Sequence, residues 1–184
     1  MSVIIFTCRY SKIQIIHKIA ESNNCSFSGS QKTVWLISSV MNQGVASMEW
    51  RKDGYLITDD KSKVQLDTVH RLLAATYWSC RRPKNIVERM VAGSVCFSLF
   101  HGAVQIGFGR AVTDGATVTW VADIVVAPEY RGAGLGQWIM ECLVSYPAVE
   151  GTQMVLQTRD AQRLYEKFGF SGNRALMSTK VTDL

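Results

Sequence analysis

A chain of 184 residues, 47% hydrophobic and 19% charged, can bury one substantial core but is too short for two comfortable domains. The net charge of +5 is uneven: Arg9, Lys12, Lys18 and Lys32 against Glu21 put +3 on residues 1–47, and the remaining +2 argues against a nucleic-acid groove. No apolar run reaches the roughly 18 residues of a membrane helix, and Val3 to Phe6 is too short for a signal-peptide core, so a cytoplasmic protein with neither nucleic-acid nor membrane partners is expected.

Residues 1–47 read as an N-terminal extension, with a strand at Val34 to Ile37 as the alternative; the domain pattern begins at Met48. Trp50 to Thr58 reads as a first strand, and Thr68 is placed to cap a helix whose Val69, Leu72, Leu73 and Thr76 share a face. Pro83 suits the start of a second helix that Gly93 stops. The short basic run Arg81-Arg82-Pro83-Lys84 reads as a solvated loop, or as one facing the phosphates of a cofactor. Val95 to Phe100, a turn at His101-Gly102, and Val104 to Val112 read as a hairpin, and Asp114-Gly115 turns into a strand over Thr117 to Val126. Met154 to Thr158 is a further strand, Asp160 the expected cap of a helix that ends at Gly169, and Ala175 to Val181 a last strand.

Five scattered cysteines with no C-x-x-C suggest free thiols, of which Cys96 and Cys142 sit in apolar stretches as small hydrophobes. His17, His70 and His101 show no metal-ligand spacing, so no metal is expected.

The informative stretch is Trp120 to Gly136. Val121, Ile124, Val125 and Val126 form a β-branched run that Pro128 ends, and from Leu135 apolar residues recur with helical spacing through Trp138, Ile139, Cys142 and Leu143. Between them, Arg131-Gly132-Ala133-Gly134-Leu135-Gly136 leaves backbone N–H groups bare at a helix start. Such a loop is either a phosphate cradle or an ordinary tight turn.

Arg131-x-x-Gly134-x-Gly136 after an apolar strand and a proline resembles the acyl-CoA pyrophosphate loop of the GNAT superfamily of N-acyltransferases. Leu164-Tyr165-Glu166-Lys167-Phe168-Gly169-Phe170 resembles that superfamily's L-Y-x-K-x-G-F segment, in the family's order and separation. The resemblance covers about Met48 to the C-terminus, so the expected division is an extension over 1–47 and an acetyltransferase domain over 48–184. It implies an α/β (α+β mixed) fold of GNAT type: a central, mostly antiparallel sheet with one parallel, splayed strand pair, flanked by helices.

The resemblance also implies acetyl-CoA as cosubstrate and direct attack of an amine on its thioester, with no covalent enzyme intermediate. Backbone groups of Ile124, Val125 and Val126 would hold the acetyl carbonyl and the pantetheine arm, Arg131 through Gly136 (including Ala133 and Leu135) the pyrophosphate, and Thr158 a further pantetheine contact. Tyr165 would protonate the leaving thiolate, since a phenol with reference pKa near 10 keeps its proton at neutral pH. By the same analogy Tyr77, Trp78 and Trp120 border the acceptor. A common family pattern puts Glu or His on the strand where Trp120 and Ala122 stand here, and alternation sends Asp123 to the opposite face unless a bulge re-aims it. The implied reaction is acetylation of a small-molecule amine. A protein or peptide amine and a non-catalytic acyl-CoA sensor are the alternatives, and a homodimer is left open.

Overall fold

The computed structural model describes residues 47–172 together with Met177. The strands expected at Val34 to Ile37 and, Met177 apart, at Ala175 to Val181 lie outside the described residues.

Asp53 and Gly54 both take positive φ, 49° and 80°, which is the twist a two-residue hairpin turn needs. The single strand expected over Trp50 to Thr58 is therefore two, β1 (Glu49–Lys52) and β2 (Tyr55–Thr58), paired antiparallel. The Asp-Gly pair was the sequence signal for that turn. Two helices follow, α1 (Leu66–Ala74) and α2 (Lys84–Ala92). Thr68 does not cap α1: the cap position is Gln65, whose side chain accepts from no backbone N–H of the first turn. Val69, Leu72 and Leu73 of α1 and Val87 and Val91 of α2 are the buried stripes.

β3 (Val95–His101) and β4 (Val104–Thr113) form the expected hairpin, and β5 (Val118–Val126) returns antiparallel to β4. After α3 (Leu135–Val144), β6 (Gln153–Val155) pairs parallel to β5 and completes a six-stranded sheet in the order β1-β2-β3-β4-β5-β6. The short helix α4 (Gln162–Glu166) follows. This is the mixed sheet expected, antiparallel up to one parallel pair. Asp160 does not cap α4; the Thr158 hydroxyl accepts from the Ala161 N–H at 3.1 Å.

The core is continuous from Ile57, Phe97, Leu99 and Phe108 in the sheet to Ile139, Met140 and Leu143 of α3. The two faces of β4 are distinguishable at Gly109 and Arg110. A Cβ on Gly109 would lie 2.7 Å from Ile139 Cγ2 of α3, whereas the Arg110 side chain reaches an acid shared with Arg82, in the connection between α1 and α2. Helix α3 thus covers one face of β4, and the α1–α2 connection lies over the other. Cys96 and Cys142 are buried, and burial pushes their thiols up to about 11 and about 12, which leaves neither as a thiolate nucleophile. No helix among the described residues is long and apolar enough to cross a membrane.

Candidate active site

The end of β5 is held by the Ala127 N–H donating to Ile106 O at 2.8 Å, and Pro128 opens a single 3-10 turn, Pro128–Tyr130. Arg131 closes that turn twice over. Its N–H donates to Pro128 O at 3.2 Å, and its Nε reaches back to Val126 O at 3.0 Å. The Arg131 N–H is therefore committed, and the groups left to face an anion begin at Gly132. Gly132 and Gly134 have φ of 84° and 75°, which a residue with a Cβ adopts only under strain, and Gly134 is the N-cap of α3. The first N–H groups of α3 have no partner inside the helix, and no acidic side chain sits in that first turn. Gly136 needs no special φ; a Cβ there would meet only Val126 Cγ2, at 4.0 Å. Ala133, Gly134 and Leu135 line a small cavity with Lys52, Asp53 and Tyr55 of the first hairpin.

β5 runs to Val126, but β6 pairs with it only over Val118, Thr119 and Trp120. From Val121 onward the β6 side of β5 lacks a strand partner among the described residues, and this open stretch leads to the glycine loop. Val125 and Val126 are buried, so their identities serve packing.

Within that stretch β5 bulges. Phe108 pairs with Val125 and Arg110 with Ala122, so Asp123 and Ile124 together oppose Gly109 alone. Asp123 takes φ of 55°, a conformation that Asp tolerates better than most residues. The bulge overturns the simple alternation expected for β5. Ile124 lies over Gly109 toward α3, since its Cδ1 would be 2.7 Å from a Cβ there, and Asp123 is re-aimed to the face of Arg110. Asp123 accepts from Arg110 Nε at 2.6 Å, from Arg82 Nη1 at 3.1 and 3.0 Å, and from Trp78 Nε1 at 3.2 Å. With its oxygens so occupied, it orients its neighbours and has no lone pair to spare for a substrate proton. Arg82, read from the sequence as part of a solvated basic run, is turned inward onto this carboxylate. Lys84 of the same run pairs with Asp67 at 2.6 Å.

Trp78 packs edge-on against Tyr77, ring centroids 4.9 Å apart, and both remain more than 40% exposed. The Tyr77 hydroxyl accepts from the Arg159 N–H at 3.0 Å, and the Arg159 guanidinium lies over the Tyr77 ring, 3.6 Å from its centroid. Tyr165, on α4, is half-buried with Phe170 edge-on at 6.0 Å. Burial raises its phenol above the ordinary value, with smaller contributions from Tyr77 and Asp160, so it stays a proton donor beyond the usual tyrosine range. The structure thus brings Tyr165, Tyr77, Trp78 and Asp123 into one neighbourhood beside the open part of β5. Trp120 is 38% exposed, paired with Val112 and Val155, with no recorded ring contact to that group. Thr158 lies in the segment between β6 and α4. Asp123, Arg82 and Arg110 were not singled out together from sequence because a bulge depends on the partner strand. Gly109 opposite Asp123 was the available sign.

A profile of the GNAT acetyltransferase domain matches residues 92–172, the span that contains β3 to α4. Among curated proteins, one from Gibberella zeae named as an acetyltransferase is 25% identical over 64% of this chain and 79% of its own length. The N-acetyltransferase ycf52 of Porphyra purpurea is 26% identical over 65% and 71%. Among solved structures, one from Staphylococcus aureus superposes with a TM-score of 0.60 at 25% identity, over 70% of this chain and 98% of that one. One from Xanthomonas campestris, assigned to the GNAT family as an acetyltransferase, gives a TM-score of 0.68 at 31% identity, over 71% of this chain and 95% of that one. Identity at that level across nearly the whole of a solved protein reflects shared descent, and the chain belongs to the GNAT family of acyl-CoA-dependent N-acetyltransferases.

Proposed function

We propose that the chain acetylates a primary amine of a small molecule, with the glycine loop holding the pyrophosphate of acetyl-CoA and the pantetheine arm lying along the open part of β5. The observation that carries the reading is the termination of β6 pairing at Trp120, which exposes β5 backbone from Val121 up to a helix start with a glycine at its N-cap and no acidic side chain in its first turn. In this reading the N–H groups from Gly132 to Gly136 face the phosphates, and Ile124, Val125 and Val126 offer main-chain groups to the acetyl carbonyl and the amide arm. Arg131 acts by fixing the loop to Val126 O.

The amine enters over Tyr77 and Trp78. Its nitrogen lone pair attacks the thioester carbon, the C–N bond forms as the C–S bond breaks, and the sulfur leaves with the proton of the Tyr165 hydroxyl. The amine's own proton passes to water. Among the described residues the carboxylate on this part of β5, Asp123, has its lone pairs taken by Arg110, Arg82 and Trp78, so an amine that is already neutral is favoured. A lysine-like amine of pKa near 10.4 costs roughly 4 to 5 kcal/mol to deprotonate at pH 7, an α-amino group near 8 only about 1. The substrate we infer is therefore an amine of low pKa, such as an α-amino group.

The test is thiol release from acetyl-CoA across amines of graded pKa, from pH 6 to 10. The reading predicts the highest kcat/KM at pH 7 for low-pKa amines. A higher plateau for alkyl amines at pH 7 refutes the preference, peptide N-termini outpacing free small amines would move the substrate to polypeptides, and acetyl-CoA binding without any turnover would point to a sensor.

A further inference from the structure

The acid at the bulge is outnumbered. The Asp123 side chain is 2% exposed and meets two guanidiniums, those of Arg82 and Arg110, whose side chains are only 21% and 15% exposed. Two positive charges share one negative charge where little water reaches any of them, and net charge away from water is costly unless something compensates it. Lys61 adds a further positive charge nearby, since it acts on the Cys96 thiol together with Arg110 and Asp123. Among the described residues, the other groups facing the cluster are the Ser94 hydroxyl on Arg110, and on Arg82 the Met90 sulfur and the His70 ring at its carbonyl; none of these supplies a negative charge.

Arg82 spends Nη1 on both Asp123 oxygens and on Met90 Sδ, and its Nε and Nη2 have no hydrogen-bond partner among the described residues. The same carboxylate holds the Trp78 indole, so this excess charge abuts the exposed aromatic pair on the Trp78 side. On the Tyr77 side the Arg159 guanidinium lies on the ring, with only a loose, exposed 3.7 Å pairing to Asp160. The aromatic pair is bracketed by cations.

We propose that the acceptor amine also carries an oxyanion, a carboxylate or a phosphate, and that Arg82 receives it with the donors left over from Asp123. The planar guanidinium fork matches either oxyanion. The proposal rests on the reading of this side of β5 as the acceptor site, and it bears on how the amine proton is lost. Fixed positive charge beside a bound ammonium disfavours its charged form, so the cations that recognise the oxyanion also release the amine proton to water.

The test compares matched amines: an amino acid, its carboxamide, an aminoalkyl phosphate and the parent aminoalkyl alcohol, with kcat/KM expressed per unprotonated amine. Oxyanion-bearing members are expected to exceed their neutral partners by on the order of tenfold. In Arg82→Gln that ratio falls toward one through KM of the oxyanion substrates, and Arg82→Lys lies between. Because the ratio is taken within one variant, a general loss of stability cancels. A ratio near one in the wild-type enzyme, or an unchanged ratio in Arg82→Gln, overturns the proposal. A carboxylate that outpaces its amide while the phosphate does not assigns the site to carboxylates, and the reverse to phosphates. Calorimetric titration of the N-acetylated acid and its amide into CoA-saturated protein reads the same preference without turnover. Equal affinity there overturns the oxyanion site, whereas acid-selective binding without acetylation of any amine overturns the acetyl-transfer reading and leaves the oxyanion site standing.

Discussion

Asp123→Asn isolates what the buried carboxylate contributes. Asn tolerates positive φ as Asp does, so the 55° backbone at the bulge is kept and only the charge is removed. Removing one partner of a buried ion pair costs about 3 to 5 kcal/mol, chiefly through the charge left uncompensated. Here two guanidiniums lose their counter-charge, but at 21% and 15% exposure each keeps some solvent, and the Asn oxygen still accepts one bond. The expected loss is therefore about 3 kcal/mol, at the lower end of that range. With a urea m-value of about 1 to 3 kcal/mol per molar, the midpoint moves down by on the order of 1 M. Equilibrium urea unfolding followed by far-UV circular dichroism measures it. A loss below about 0.5 kcal/mol, the size of an ordinary surface substitution, would refute the cluster as a structural anchor.

Tyr165→Phe keeps the contact with Phe170 and removes only the proton donor, so kcat falls by about tenfold or more while acetyl-CoA affinity holds. Because burial raises the Tyr165 phenol, the wild-type acid stays protonated as pH rises, and kcat loses its acid-dependent part only above the ordinary tyrosine value near 10; a decline centred below 9 would exclude Tyr165. Gly109→Ala forces a Cβ to 2.7 Å from both Ile124 Cδ1 and the branched Cγ2 of the fully buried Ile139, and thermal denaturation should report a loss of about 1 to 3 kcal/mol. We propose that residues 48–184 are the acetyltransferase domain: a chain beginning at Met48, whose N–H meets Asp59 Oδ1 at 2.6 Å, should fold and bind acetyl-CoA as the full chain does, and insolubility would show that residues 1–47 complete the core.

The strand, glycine loop and helix from Val118 to Val144 were legible because each carries a local signal: a β-branched run, a proline, glycines at strained φ and a helical apolar stripe. The β3–β4 hairpin was legible for the same reason. The bulge was not, because it is defined by what stands opposite. One glycine on β4 faces two residues of β5, and only that mismatch turns Asp123 across the sheet. Arg82 was misread because a run of adjacent basic residues looks solvated until a carboxylate 41 positions away accepts from one of them. The Asp53-Gly54 turn, by contrast, carries its signal locally, in the Asp-Gly pair itself.

The most direct measurement of the central claim is calorimetric titration of acetyl-CoA into the wild-type protein and Gly136→Glu. A Cβ at Gly136 would meet nothing closer than Val126 Cγ2 at 4.0 Å, so the variant should melt close to the wild type while placing a carboxylate at the first turn of α3. The account predicts one bound acetyl-CoA per wild-type chain and no measurable binding to the variant. Equal affinity in the two proteins would contradict the glycine loop as the acetyl-CoA site.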